Sequence, residues 1–281
     1  MIGFPLPGEL IRSMRESRGG RGVISMGRVV YALMLRESRT RYGKSDLGYS
    51  WALIEPLLQL LILWGIYTAF GRVVPLAASM PVFLVTGILP YHFWRDCVQR
   101  GASGVASNLP LLTYPQVRPS DVIVSRILLE AATTALVTLL FVVGLKMFYR
   151  EPLASWVDEP LAEVGAIAAL FYFGMSFGFL SSGLARVFPP WSELFSYLSR
   201  PLWFISGIFF TLESLPTGAR GIASLNPIAH LLEWIRSAAL PGFESEHYSR
   251  TFVLVTATVA LSFGLLIDRY LTLTGHSDES H

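Results

Sequence analysis

The chain has 281 residues, 52% of them hydrophobic and only 15% charged, with a formal net charge of +2 and a mean hydropathy of +0.50. This composition excludes an ordinary soluble domain, and its long runs poor in charge point to an integral membrane protein built from helices of about 20 apolar residues. The single cysteine, Cys97, excludes a disulfide framework and a CxxC metal or redox site, and no nucleic-acid partner is expected.

Residues 1–22 are polar and Arg-rich, lack the apolar core of a cleaved signal peptide, and have no assigned role. Over 23–45 an amphipathic helix is expected. Val23, Met26, Val30, Leu33 and Met34 share a stripe, while Arg28, Arg36, Arg39 and Arg41 favour the other faces. Such a helix lies in the headgroup layer with its cations toward anionic lipid; the alternative is a short solvated cytoplasmic helix. It runs into Gly43-Lys44-Ser45, a fragment of a phosphate-binding loop. That loop requires a glycine five residues before Gly43, where Ser38 stands, and a preceding buried strand rather than a helical pattern. No nucleotide site is expected, and Lys44 marks the membrane boundary instead.

Six spans follow, over 48–71, 80–99, 122–146, 161–187, 194–214 and 250–270, with no internal repeat and no soluble second domain. The third, fourth and sixth are the clearest; the second and fifth carry proline and arginine. Nine cations precede the first span, and the loop after it holds only Arg72. The excess of positive charge puts the N-terminus in the cytoplasm, and an even number of spans puts the 271–281 tail there too. Between the fifth and sixth spans, 215–249 is external. Its stretch NPIAHLLEWIRSAALPG is a helix with Ile228, Leu231, Leu232 and Ile235 on one side, too short to cross a bilayer. It dips in and returns packed against protein, or it lies on the outer surface.

Charges inside the spans are the first functional signal. The 15 residues from Pro56 to Phe70 give about 22 Å, less than the ~30 Å hydrocarbon core, so the first span begins near Gly48 and takes in Glu55. By the same reasoning the second span includes Arg95 and Asp96, and the fifth includes Arg200. The third carries Arg126 and Glu130, one turn apart. All fall toward the cytoplasmic ends of their helices and none in an outer third. Taken singly, each is explained by snorkelling or by a neighbouring counter-charge. Taken together, they suggest a hydrated vestibule open to the cytoplasm. Aromatic residues, including Tyr67, Trp94, Trp203 and Phe204, could line a path for sugar rings, although interface belts and packing explain most of them. The loop 107–121 carries an apolar knob, Leu109, Leu111, Leu112 and Tyr114, suited to a partner's groove or tucked under the bundle. Catalytic constellations are absent. His92, His230, His247, His276 and His281 are scattered, without HExxH, GxSxG or a paired acid motif, so neither an enzyme nor a metal centre is expected.

The segments RTRYGKSDLGYSWALIEPLLQLLILWGIY, GILPYHFW, LLTYPQVRPSDVIVSRILLE, RPLWFISGIFFTLESLP and LNPIAHLLEWIRSAALPGF carry a family likeness in order. The chain resembles permease subunits of the ABC-2 type, in particular the inner-membrane permeases of bacterial capsular polysaccharide exporters. The likeness runs over about 33–270. It implies an all-α homodimer of six-span subunits with an interfacial helix at 23–45, a coupling helix in 107–119 and re-entrant helices in 216–240. It also implies two cytoplasmic ABC ATPase subunits that bind ATP and Mg, so this chain would hold no cofactor. The cargo would be a lipid-linked, often acidic polysaccharide. A periplasmic adaptor of the polysaccharide co-polymerase class and an outer-membrane channel would complete the path. On this reading Glu55, Arg95, Arg126, Arg200, Tyr67, Trp94, Trp203 and Phe204 line the substrate pathway. Leu109, Leu111, Leu112 and Tyr114 dock the ATPase, and Arg36, Arg39 and Arg41 face lipid. An O-antigen or teichoic-acid permease shares this architecture. An intramembrane acyl- or glycosyl-transferase would need a clustered acid or histidine site, and a passive channel would lack an ATPase partner.

Overall fold

The computed structural model describes residues 18–42, 48–71, 79–149, 160–240, 242–243 and 245–278. All regular structure among them is helical: α1 (Arg18–Tyr42), α2 (Gly48–Ala69), α3 (Met80–Gly104), α4 (Leu109–Leu112), α5 (Pro119–Tyr149), α6 (Pro160–Val187), α7 (Trp191–Ile205), α8 (Thr217–Ala223), α9 (Pro227–Ala239) and α10 (Arg250–Asp278). The tail before Arg18, the Gly43-Lys44-Ser45 stretch and Arg72 lie outside the described residues, as does the side chain of Arg41.

Three helices, α5, α6 and α10, are long and apolar enough to cross a membrane, and α2 adds a shorter apolar stretch, Leu53–Ala69. Helix α3 is the hub. It packs most extensively against α6 and also meets α2, α5, α7 and α9. Every residue from Pro81 to Tyr91 is buried, which is why this span shows no lipid-facing stripe. Contact with α6 is backbone to backbone: a Cβ at Gly101 would lie 2.1 Å from the Gly178 carbonyl oxygen, so only glycine fits. Helix α10 closes on the other side of α6, with Arg186 pairing to Asp268 at 2.7 Å.

Helix α1 is amphipathic as its spacing suggests. Val30 and Leu33 are buried against α5, while Arg28, Arg36 and Arg39 are exposed. Asp121 caps the start of α5 by accepting the Arg118 N–H at 3.0 Å. Chain direction then fixes the two ends of the bundle. Helix α5 leaves the α4 end, α6 returns to it, and α7 departs again after the turn at 188–190.

The structure departs from the sequence expectation at α7. The helix stops at Ile205, having risen about 22 Å, whereas a continuous span to 214 is expected. Residues 206–216 are irregular, and 206–212 are buried or half-buried, with Gly207 at φ +80°, a conformation that ends the helix. Helix α9 is not a surface helix: eleven of its residues, from Ile228 to Ala239, are buried among α3, α6 and α10.

Candidate substrate pathway and coupling surface

Three helices converge on a polar cavity of about 80 Å³, lined by Glu55 of α2, by His92, Arg95 and Asp96 of α3, and by Glu130, Thr133 and Thr134 of α5, with Pro56, Leu89 and Val137. Arg95 is nine residues from the end of α3 at Gly104, so the cavity lies about 14 Å inside the α4 end of the bundle. Two of its carboxylates are paired, one of them to an arginine outside the lining. Arg95 donates to Asp96 at 2.7 and 2.8 Å, and the buried Glu130 accepts from Arg100 Nε at 3.0 Å. Of the six charges expected around a vestibule, Glu55, Arg95, Asp96 and Glu130 line this cavity, together with His92, and carboxylates outnumber cations along its wall.

Other expected residues stand elsewhere. Arg126 turns away from the cavity toward α1, donating to Glu37, Ser103 and Ser107 at 3.3, 3.0 and 2.8 Å. Arg200 is exposed on α7 and lines neither this cavity nor the groove beside it. Trp94 is 4% exposed and packs among Tyr91, Phe173, Phe177 and Phe195, a core position dictated by the central place of α3.

Glu55 also borders a second space, an apolar groove of about 400 Å³ between α2 and α7, lined by Leu58, Gln59, Ile62, Leu63 and Trp203. Around Trp203 three of the four expected aromatics gather, Tyr67 and Phe204 beside it. Tyr67 stacks on Phe209 with ring centroids 6.4 Å apart, and Trp203 meets Phe209 edge-on at 4.6 Å and Phe204 at 5.0 Å. Phe204 itself is 60% exposed.

At the α4 end, a 3₁₀ turn over Ala106–Asn108 leads into α4. Leu109 and Tyr114 are 60% and 54% exposed, and Leu111 and Leu112 are half-buried. The base of this knob is tied to α1: Arg36 donates to Asn108 Oδ1 at 2.8 Å, and Asn108 donates to the Gly104 carbonyl at 2.9 Å. With the Arg126–Glu37 pair, α1, the end of α3, the knob and α5 form one polar seam.

Sequence reasoning missed the buried polar cluster at the far end. Arg236 is fully buried, and its guanidinium donates to the carbonyls of Gly207, Phe210 and Ile208 at 2.6, 3.1 and 2.9 Å. Glu233 Oε1 accepts the Leu212 N–H at 2.8 Å, and Asn226 donates to Ser206 at 3.0 Å. One face of α9 thus serves the backbone groups that α7 abandons when it breaks. His230 bridges the same region to α10. Its Nδ1 accepts the Ser249 N–H at 3.0 Å, so Nε2 donates to the Ser224 carbonyl at 2.7 Å. The signal available in the sequence was the Glu233–Arg236 pair, one turn apart inside an otherwise apolar helix.

Among the described residues, no cluster of histidine, cysteine and carboxylates could hold a metal ion. The described residues place charged side chains around a cavity inside the bundle, an apolar groove with Trp203 on its wall, and an exposed apolar knob. Comparison with known proteins agrees with a transport architecture. Residues 28–240 match the model of the family described as ABC-2 type transporter. The chain is 34% identical over 243 residues to the polysialic acid transport protein KpsM of Escherichia coli, covering 85% of this chain and 92% of that protein. It is 31% identical over 251 residues to the capsule polysaccharide export inner-membrane protein BexB of Haemophilus influenzae, covering 86% and 90%. The likeness to the O-antigen export system permease protein RfbA of Klebsiella pneumoniae is weaker, 26% over 202 residues, covering 71% and 75%. With three quarters of its length matched by the family model and relatives aligned nearly end to end, the chain belongs to the ABC-2 type transporter family.

Proposed function

We propose that this chain is the membrane permease of an ATP-driven exporter of capsular polysaccharide. The near full-length likeness to proteins named for polysialic acid and capsule polysaccharide export carries this reading. The relative named for O-antigen export aligns over less of the chain and at lower identity, which favours capsule polymer over O-antigen. In this reading the protein resides in the bacterial inner membrane as a homodimer, with both termini in the cytoplasm and α9 re-entering the bilayer from outside. Two cytoplasmic ATPase subunits hold ATP and Mg and grip the knob at Leu109, Leu111, Leu112 and Tyr114. The polar seam through Asn108, Glu37 and Arg126 carries their movement to α1 and α5. The lipid-linked polymer passes along the α2–α7 face past Glu55. An adaptor and an outer-membrane channel take it onward.

Deleting the gene in its host is the direct test. Surface polysaccharide should disappear while lipid-linked polymer accumulates inside the cell, and a plasmid copy should restore export. Unchanged surface polysaccharide in the deletion strain would count against the reading.

A further inference from the structure

The break in α7 carries an inference that neither the family likeness nor the polar cavity supplies. Phe209 projects from the irregular segment after Ile205 and joins two helices that flank the α2–α7 groove. It stacks on Tyr67 of α2, with 16° between the rings, and receives the edge of Trp203 from α7. Tyr67 is twelve residues beyond Glu55, about 18 Å along α2. The aromatic cluster therefore sits at the end of the groove far from α4.

What holds Phe209 there is its own backbone neighbourhood. The carbonyls of Gly207, Ile208 and Phe210 all accept from the one guanidinium of Arg236. That guanidinium is further fixed from α3, lying 4.1 Å over the Phe83 ring, and a Cβ at Gly87 would come within 2.8 Å of Nη2. Gly87 is seven residues into α3, about 10 Å from its outer end, so this buried cation lies inside the bundle and not at its rim. A planar guanidinium can hold three diverging carbonyls in fixed directions, and an ammonium cannot reproduce that fork.

We propose that Phe209, clamped against Tyr67 and Trp203, plugs the outer end of the α2–α7 groove, and that Arg236 is the positioning residue that holds the plug. The proposal rests on reading that groove as a wall of the transport path. Hydrophobic constrictions of this kind exclude water and solutes without a charged barrier. Opening requires the segment 206–212 to be released from Arg236, or to move with α9 as one unit.

The test uses full-length protein, purified and reconstituted in phosphatidylglycerol-containing liposomes loaded with carboxyfluorescein, without ATPase or ATP. Phe209→Ala should raise passive dye efflux about tenfold over the parent at equal incorporation. Arg236→Lys should do the same, and the double variant should leak no faster than either single one. Efflux at the parent level in well-incorporated Phe209→Ala protein overturns the plug. A leaking Phe209→Ala beside a tight, folded Arg236→Lys overturns the role of Arg236. Where Arg236→Lys cannot be isolated folded, Arg236→Gln takes its place, since an amide offers a single NH2 and cannot reach all three carbonyls. If neither folds, the network serves folding alone and the assignment of Arg236 falls. Because no ATPase takes part, this outcome is separate from that of the gene deletion, which bears on the exporter reading itself.

Discussion

Replacing Arg126 with alanine should loosen α1 from the bundle while leaving the bundle itself intact. The guanidinium is 8% exposed and its Glu37 partner 18%, between a surface pair, worth about 0–1 kcal/mol, and a buried one, whose breaking costs about 3–5 kcal/mol. The bonds to Ser103 and Ser107 add little. Each serine already has a carbonyl of its own, Gln99 for Ser103 and Ser103 for Ser107, to fall back on. The loss is therefore about 2 kcal/mol, concentrated at the seam between α1 and α5, or roughly thirtyfold in the local opening equilibrium. Hydrogen exchange in detergent reads this directly. Amides of α1 near Glu37 should exchange about thirtyfold faster in Arg126→Ala, with α6 unchanged. The swapped pair Glu37→Arg with Arg126→Glu should recover part of the protection. Unaltered exchange in α1, or an equal loss in α6, would refute the reasoning.

Gly101→Ala should cost more than the ~1–3 kcal/mol usual for overpacking, because the obstacle is the backbone carbonyl of Gly178, which no rotamer change can move. A drop in melting temperature by fluorescence size-exclusion, with little protein in the membrane, checks this, and a parent-like melt would refute it. Leu111→Glu and Tyr114→Glu should abolish co-purification of the ATPase subunit without reducing the permease in the membrane, since both sit on the exposed knob. Arg95→Gln should reduce surface polysaccharide in complemented cells with protein levels unchanged, since Arg95 is the cation lining the polar cavity. Because Asp96 already matches the Arg95 charge, Arg95→Gln with Asp96→Asn should export better than Arg95→Gln alone.

Much of the architecture was legible because bilayer length and charge scarcity leave few options. The apolar runs that became α5, α6 and α10 stand out by hydropathy, and the Val30–Leu33 stripe of α1 stands out by helical spacing. The end of α7 was not legible. SGIFFTL is as apolar broken as it is helical, and what permits the break is Arg236, 26 to 29 residues away in sequence. Trp94 was misplaced for a related reason. In a membrane, faces toward lipid and faces toward protein are both apolar, so composition does not tell a belt tryptophan from one packed on Phe177 and Phe195. The charges at mid-depth were visible as a set. Their partners were not, since Arg126 chose Glu37 on α1, 89 residues away.

The glycine crossing between α3 and α6 has a mechanical consequence. At Gly101 and Gly178 the two helices meet peptide against peptide, so sliding one past the other there meets a carbonyl that no rotamer change can move aside. This crossing ties α3 to α6 more tightly than α2 is tied to α7, which leave a groove between them.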